Sequence, residues 1–452
     1  MTSDNFSVGS RLSLQPSPAP VYPSIDDWIE RDAVRFSFER PASLGSATDR
    51  VIADLGPEVE LLALGEALHG SEEILLIRNR MFQRLAEKHG YSAVVIEVSS
   101  PQARAINEYA LGRHERSPPE VEEWFGNGFG LVEANRELVE WLRTYNTDPP
   151  RPTKLHFYGF DIPLGRGGLA SPGRVLEIAL DYLDSVDRAR ARVHRDRITS
   201  LVDDQSEWER PAAMFDPAQS IGLTPKANEL RLATLDLITD LRIRGPEYAA
   251  RSDALAYADA LHHAELGRKL LDAHAALAKP GAYASMLGVR DLIMADNLWH
   301  FVMCERGRGK VLVFAAAGHL KRGTMRWHLP PGDDIKVWWP AGAHLAQTFG
   351  SRYAVIGMAL GSSEPNGIAA PEPGTLEAGL AAAGGSFFIS THRGKGLPAP
   401  SIATAPVRSG SSLNPTYSWL TVDSFSDFEW LVFLDSTAYP RGGPSLTDWE
   451  SD

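Results

Sequence analysis

The sequence holds a single cysteine, Cys304. No intrachain disulfide can form, and no cysteine-based zinc site can be built. Cys304 falls in a stretch with helical periodicity, where a buried, unreactive thiol is the expected state. Surplus positive charge is also missing. The formal net charge of -13 argues against a general nucleic-acid binder. No apolar run reaches the length that crosses a bilayer. The N-terminus, MTSDNFSVGSRLSLQPSPAP, lacks an apolar core of signal-peptide length, so a cytoplasmic location without a membrane partner is expected. The familiar catalytic signatures are absent as well. There is no G-x-S-x-G elbow; the serine-rich Ser409-Gly410-Ser411-Ser412 has no strand–turn–helix context and reads as a loop. No Walker A or G-x-G-x-x-G pattern follows a strand, so nucleotide chemistry is disfavoured and no cofactor is expected.

What is present is organised around residues 61–100. An apolar run, 61–64, ends at Gly65 and is followed by Glu66, His69 and Gly70. A helical pattern comes next, with Ser71 as N-cap and Glu72 and Glu73 at its positive end, and Gly90 is placed to stop it. A second apolar run, 93–96, ends at Glu97. Polar groups capable of chemistry therefore stand where strands end, the edge at which open parallel sheets bind ligands. Arg78 shares a face with Ile74, Met81 and Leu85. By spacing it either snorkels from the edge of that apolar stripe or points inward to the carboxylates.

Further strands are expected at 155–160, ending at Asp161, and at 310–315, running into Gly318 and His319. Others are expected at 335–339, 353–360, 386–390, 418–422 and 430–434. Helices are expected at 25–38, 47–55, 102–112, 131–145, 342–349 and 375–383. Residues 172–306 read as mostly helical, and a solvated face is the expectation for His262, His263 and His274. The fold class is α/β: a mostly parallel central sheet flanked by helices, with a large helical insertion. Its divisions are a loose tail at 1–23, core at 24–165, insertion or lid at 166–308, and core again at 309–452.

Four strand ends supply Glu66, His69, Glu97, Asp161 and His319. A histidine titrates near neutral pH, a carboxylate fixes its tautomer, and a second histidine or an arginine stabilises charge on a substrate oxygen. The set has the parts for activating water against an ester. Each member alone is more often a cap or a loop ligand; convergence on one edge is what favours catalysis. Zinc or manganese is the competing use of the same residues, but no HxH or HExxH pattern supports it, and no metal is expected.

At these residues the sequence resembles the erythromycin esterase family, from about residue 25 to 441. Gly65-Glu66-Ala67-Leu68-His69-Gly70 looks like that family's GE-x-x-HG signature. Arg78 and Glu97 fall at the spacings of its characteristic arginine and second glutamate. Trp141-Leu142-Arg143-Thr144-Tyr145-Asn146, Phe157-Tyr158-Gly159-Phe160-Asp161, Arg290-Asp291, Met294-Ala295-Asp296-Asn297 and Gly374-Thr375-Leu376-Glu377 look like its landmarks. The resemblance implies a metal-independent hydrolase that opens a macrolactone ester without a covalent serine intermediate. In that picture His69 is the general base, Glu66 and Glu97 orient it and the water, Arg78 supports the carboxylates, and His319 serves the far side. Asp161 and Ala316 are expected to meet the small-molecule substrate, in antibiotic resistance or biosynthesis. Where the family carries A-H-N-x-H, this chain has Ala315-Ala316-Ala317-Gly318-His319. An imidazole lost from an oxyanion site costs on the order of several kcal/mol of transition-state stabilisation. The departure points away from erythromycin itself. It favours another ester, a non-hydrolytic acid–base reaction on a natural product, or a ligand-binding protein without catalysis.

Overall fold

The computed structural model describes residues 21–113, 125, 129–147, 151, 153–165, 168–328, 335–411, 413–444 and 446. The expected loose tail lies outside these residues as far as residue 20. Tyr22, just inside them, is buried, and its amide donates to the Gly396 carbonyl at 2.9 Å.

Ten strands are described: β1 (Val34–Phe36), β2 (Leu61–Glu66), β3 (Tyr91–Ser99), β4 (His156–Asp161), β5 (Lys310–Ala316), β6 (Met325–His328), β7 (Ile335–Trp338), β8 (Tyr353–Ser362), β9 (Ser386–Ser390) and β10 (Trp430–Ser436). Eight form one sheet in the order β1-β9-β10-β8-β2-β5-β3-β4, and β6 and β7 make a separate hairpin. The six strands from β10 to β4 are mutually parallel; β9 runs antiparallel to β10 and to β1.

Both faces of this sheet are covered, so its central strands are continuous apolar runs rather than alternating ones. Leu62, Leu64, Val94, Ile96, Leu312 and Phe314 pack against the helices Pro41–Leu55, Glu72–Lys88, Ser100–Ala110 and Glu133–Thr147. Leu61, Ala63, Ala93, Val95, Val311 and Val313 pack against Ile25–Asp32, Ala282–Glu305, Ala341–Phe349 and Leu376–Ala382. The fold is thus the expected α/β class, with a mostly parallel sheet between helical layers.

Three expectations about elements are corrected. The helix beginning at Ile25 ends at Asp32, and Val34–Phe36 leaves it to pair with β9 as an edge strand, burying Phe36 in the core. Residues 418–422 form no strand; they cross the carboxyl edge of the sheet, where the Ser418 amide donates to the Ala67 carbonyl at 2.7 Å. His262, His263 and His274 are buried, not solvated. Their helix, Ala254–Leu277, runs through the middle of the helical region, with Leu266, Leu270, Leu271, Ala273 and Leu277 buried around it. Charged residues such as Arg268 and Asp272 keep part of this helix toward solvent, and the three histidines belong to its packed side.

The order of strands positions the site. β2 and β3 are consecutive in sequence but not neighbours; β5 lies between them. Glu66 stands opposite Ala316 and Ile96 opposite Phe314, so the turn after β5 emerges between the two glutamates. β3 shifts register against β4 between Ile96 and Ser99. Such a bulge re-aims the side chains within it, here Glu97. Gly65 permits a close contact with the turn after β5: a Cβ there would lie 2.9 Å from the Ala317 Cα.

Candidate active site

Glu66 ends β2 and is buried. His69 follows on a short loop and is half-buried, with Nδ1 2.6 Å from Glu66 Oε1. That contact leaves Nε2 as the free nitrogen of the ring. Burial alone would lower the basicity of His69. The charge and hydrogen bond of Glu66, helped by Glu97, overcome it and raise the imidazole to about 9.

Glu97 is saturated with donors. Its Oε2 accepts the Ala316 amide at 2.8 Å, and its Oε1 faces Arg290 Nη2 at 3.2 Å and His319 Nε2 at 3.4 Å. Burial pushes its carboxyl upward, but His319, His69 and Arg290 together hold it well below the usual carboxylate range.

His319 stands in the turn Ala317–Leu320, with Nδ1 2.7 Å from Asp291 Oδ1. Asp291 is fully buried and also accepts the Trp338 indole at 2.5 Å and the Ala341 amide at 2.9 Å. This acid fixes the His319 ring and turns Nε2 toward Glu97. Burial opposes protonation of His319, yet Asp291 and Glu97 raise it to about 10.

Asp161, at the end of β4, takes Arg290 in a fork, Nε at 2.8 Å and Nη2 at 2.7 Å. The guanidinium therefore joins the ends of β3 and β4. Arg290 and Asp291 are the residues whose roles sequence reasoning missed. They were visible only as a landmark pair inside a long helix, Ala282–Glu305, whose placement on the sheet no local pattern reveals.

Arg78 overturns one reading and revises the other. It is buried, so it does not snorkel. Nor, among the described residues, does it form an ion pair with a carboxylate: Nε and Nη2 donate to Asn79 Oδ1 at 3.0 and 2.8 Å, and Nη2 reaches the Ala134 carbonyl at 3.4 Å. The guanidinium lies 5.1 Å from the centroid of the Phe314 ring. Burial lowers it to about 9, with Glu66 opposing the shift.

A cavity of about 590 Å³ opens at this edge. Glu66, His69, Arg78, Glu97, Asp161 and Arg290 line it with an apolar wall that includes Leu75, Ile96, Phe129 and Phe314. Ala316 and His319 are not among the lining residues; they back Glu97 from behind. The helices Pro172–Val186 to Ala254–Leu277 contribute none of the described lining residues, whereas Arg290 enters from Ala282–Glu305. Among the described residues, Glu66, His69 and Glu97 alone form a group whose acid and imidazole atoms lie within 4.8 Å of one another, close enough to enclose a cation. Two of these residues already share the Glu66–His69 hydrogen bond, and Glu97 accepts the Ala316 amide.

Cys304 lies elsewhere. Its Sγ is 3.5 Å from His300 Nε2, a neighbouring histidine that sequence reasoning did not identify. Burial holds that imidazole down to about 4 and pushes the thiol up to about 11, so the pair is neutral.

Fold and site define a class: a parallel α/β protein whose sheet edge carries two imidazole–carboxylate pairs beside a partly apolar cavity. Comparison with known proteins narrows it. The erythromycin esterase family profile matches residues 86–411, and the chain belongs to the erythromycin esterase family. The erythromycin esterase type II of Escherichia coli is 22% identical over 343 residues, covering 74% of this chain and 76% of that one. Among solved structures, a Bacillus cereus protein superposes with a TM-score of 0.72 at 17% identity, covering 93% of this chain and 98% of that one. A protein described as a succinoglycan biosynthesis protein gives 0.67 at 17% identity, over 92% and 97%. A histidine-to-asparagine mutant of the erythromycin esterase EreC, in its open conformation, gives 0.64 at 17% identity, over 90% and 98%. At these identities the structures establish a shared fold. Glu97, Asp161, Arg290 and His319 lie inside the span matched by the family profile; Glu66, His69 and Arg78 precede it, and geometry places them in the site.

Among the described residues no helix is long and apolar enough to cross a membrane.

Proposed function

We propose that the protein hydrolyses an ester or lactone of a bulky natural product, using a water activated by His69 and no covalent serine intermediate. The Glu66–His69 pair carries this reading: Glu66 occupies Nδ1, and the ring borders the cavity at the sheet edge. Among the described residues, the hydrogen-bond partner of the His69 ring is Glu66, not a serine or cysteine.

The neutral ring accepts a proton from water at Nε2 while the water oxygen bonds to the ester carbonyl carbon. The carbonyl electron pair moves to oxygen, in the positive field of Arg78 and Arg290. The tetrahedral species then expels the alcohol, which takes the proton back from His69. Glu97, held ionised by its donors, stabilises the imidazolium across the site. Residue 316 brings no imidazole, and its amide donates to Glu97.

His69→Ala is expected to abolish turnover with the fold intact by circular dichroism; full activity in that variant would refute the mechanism. A mass-spectrometric screen of macrolides and other lactones should find a substrate that gains one water.

One observation favours a second reading. A basicity of about 9 keeps His69 mostly protonated at neutral pH, which suits a proton donor in elimination, cyclisation or rearrangement. Oxygen-18 water separates the two, because hydrolysis must place label in the product.

A further inference from the structure

The loop that carries His69 is held by residues some 345 positions away in the chain. The His69 amide donates to Thr416 Oγ1 at 3.0 Å. That hydroxyl donates onward to Asn414 Oδ1 at 2.6 Å. Asn414 Nδ2 returns to the His69 carbonyl at 2.9 Å and closes the ring. Both main-chain groups of His69 are therefore tied to two side chains that are tied to each other.

A second layer fixes the first. Asn414 Nδ2 also donates to Asn366 Oδ1 at 2.8 Å, and Asn366 Nδ2 donates to the Gly70 carbonyl at 3.1 Å. Asn366 and Asn414 are fully buried. On the loop's other side the Ser418 amide takes the Ala67 carbonyl at 2.7 Å. Ser411 Oγ accepts the Asn414 amide at 3.0 Å and donates to the Asn366 carbonyl at 2.5 Å, so the serine-rich loop is the base of the clasp.

We infer that Asn414 and Thr416 are positioning residues for His69, and that this clasp, with Glu66, sets where the imidazole meets the cavity. The inference rests on the proposed role of His69. The division of labour follows from the bonds. Glu66 orients the ring through Nδ1, while the clasp places the backbone from which the ring projects. Gly70, with φ +84°, turns the chain immediately afterwards, so the loop has no regular element of its own to hold it. Glu66 from β2, Glu97 from β3 and Arg78 from the helix between them line the same cavity, and His319, from the turn after β5, stands behind Glu97. A ring displaced among them changes partners. A misplacement of about 1 Å at a reacting group costs on the order of a hundredfold in rate.

The test uses the full protein and two conservative substitutions at Thr416, which is only half-buried. Thr416→Val removes the hydroxyl and keeps the shape; Thr416→Ser restores the hydroxyl. With a substrate from the lactone screen, Thr416→Val should lower kcat by tenfold to a hundredfold with KM within about twofold, and Thr416→Ser should recover most of it. Histidine labelled with carbon-13 at Cε1 supplies a second readout that needs no turnover. The His69 ring signal, assigned by its loss in His69→Ala, should move or split in Thr416→Val and Asn414→Ala and stay in place in Thr416→Ser. An unmoved ring signal in both Thr416→Val and Asn414→Ala overturns the clasp. Equal loss of kcat in the Ser and Val variants also overturns it. If the native protein turns over no ester, the hydrolytic reading fails while the ring signals still decide the clasp.

Discussion

At the scale of single residues, the site is a set of opposed charges. Four carboxylates, Glu66, Glu97, Asp161 and Asp291, face Arg78, Arg290, His69 and His319. Two consequences can be measured. At pH 7 a group with basicity of about 9 is unprotonated in about one molecule in a hundred. If neutral His69 is the base, kcat/KM should rise about tenfold per pH unit and level off near pH 9. Glu66→Gln removes the charge that raises His69, so its rising limb should move toward the ordinary histidine range, near 6.5. A profile already flat at pH 7 in the native protein would show that the base is not held at a basicity of about 9.

The second consequence concerns Arg290. Replacing it with Met leaves Asp161 and Glu97 facing each other without their cation. Breaking a buried ion pair from one side destabilises by about 3–5 kcal/mol, and solvent access to a side chain 22% exposed puts the expectation at the low end, about 3 kcal/mol. Urea denaturation reads this directly; an unchanged midpoint would mean that the fork contributes nothing to stability.

At the scale of elements, Gly65 shows how closely the turn after β5 approaches β2. Gly65→Ala would drive its Cβ to 2.9 Å from the Ala317 backbone. Overpacking of that kind costs about 1–3 kcal/mol and should shift Glu66, the next residue, so both the thermal midpoint and turnover are expected to fall. The same element explains what was legible in sequence. β2, β3, β4 and β5 each announce themselves as apolar runs because both faces of the sheet are covered; β2 and β4 end on Glu66 and Asp161, β3 carries Glu97 near its end, and β5 runs into the turn that holds His319. The insertion of β5 between β2 and β3 is not local information. It is what sets His319 beside Glu97. β1 was hidden because three residues are too short for alternation to register. Residues 418–422 misled because their apolar character serves packing over the sheet edge, where Leu420 is buried in the core. Asn414 and Thr416 carried no signal at all, since their partner is a loop far away in sequence.

At the scale of the whole molecule, the two raised histidines tie stability to pH. Below about pH 6.5 both the folded and the unfolded protein are protonated at these positions, and the stabilisation by Glu66, Glu97 and Asp291 is fully present. It is lost as pH rises through about 9 for His69 and about 10 for His319. The thermal midpoint should therefore fall between pH 7 and 10, and fall less in the double variant His69→Ala, His319→Asn. Equal slopes would mean that neither histidine is held charged in the folded state. Membership of the erythromycin esterase family and the shared fold set the frame. Within it, the proposed hydrolysis depends on what the Glu66–His69 pair does to water. The most direct measurement is turnover of a screened lactone in oxygen-18 water, followed by mass spectrometry of the product. The account predicts a ring-opened acid carrying one heavy oxygen from solvent, formed by the native protein and not by His69→Ala. A product without label, or the same labelled acid at the same rate from His69→Ala, would contradict it.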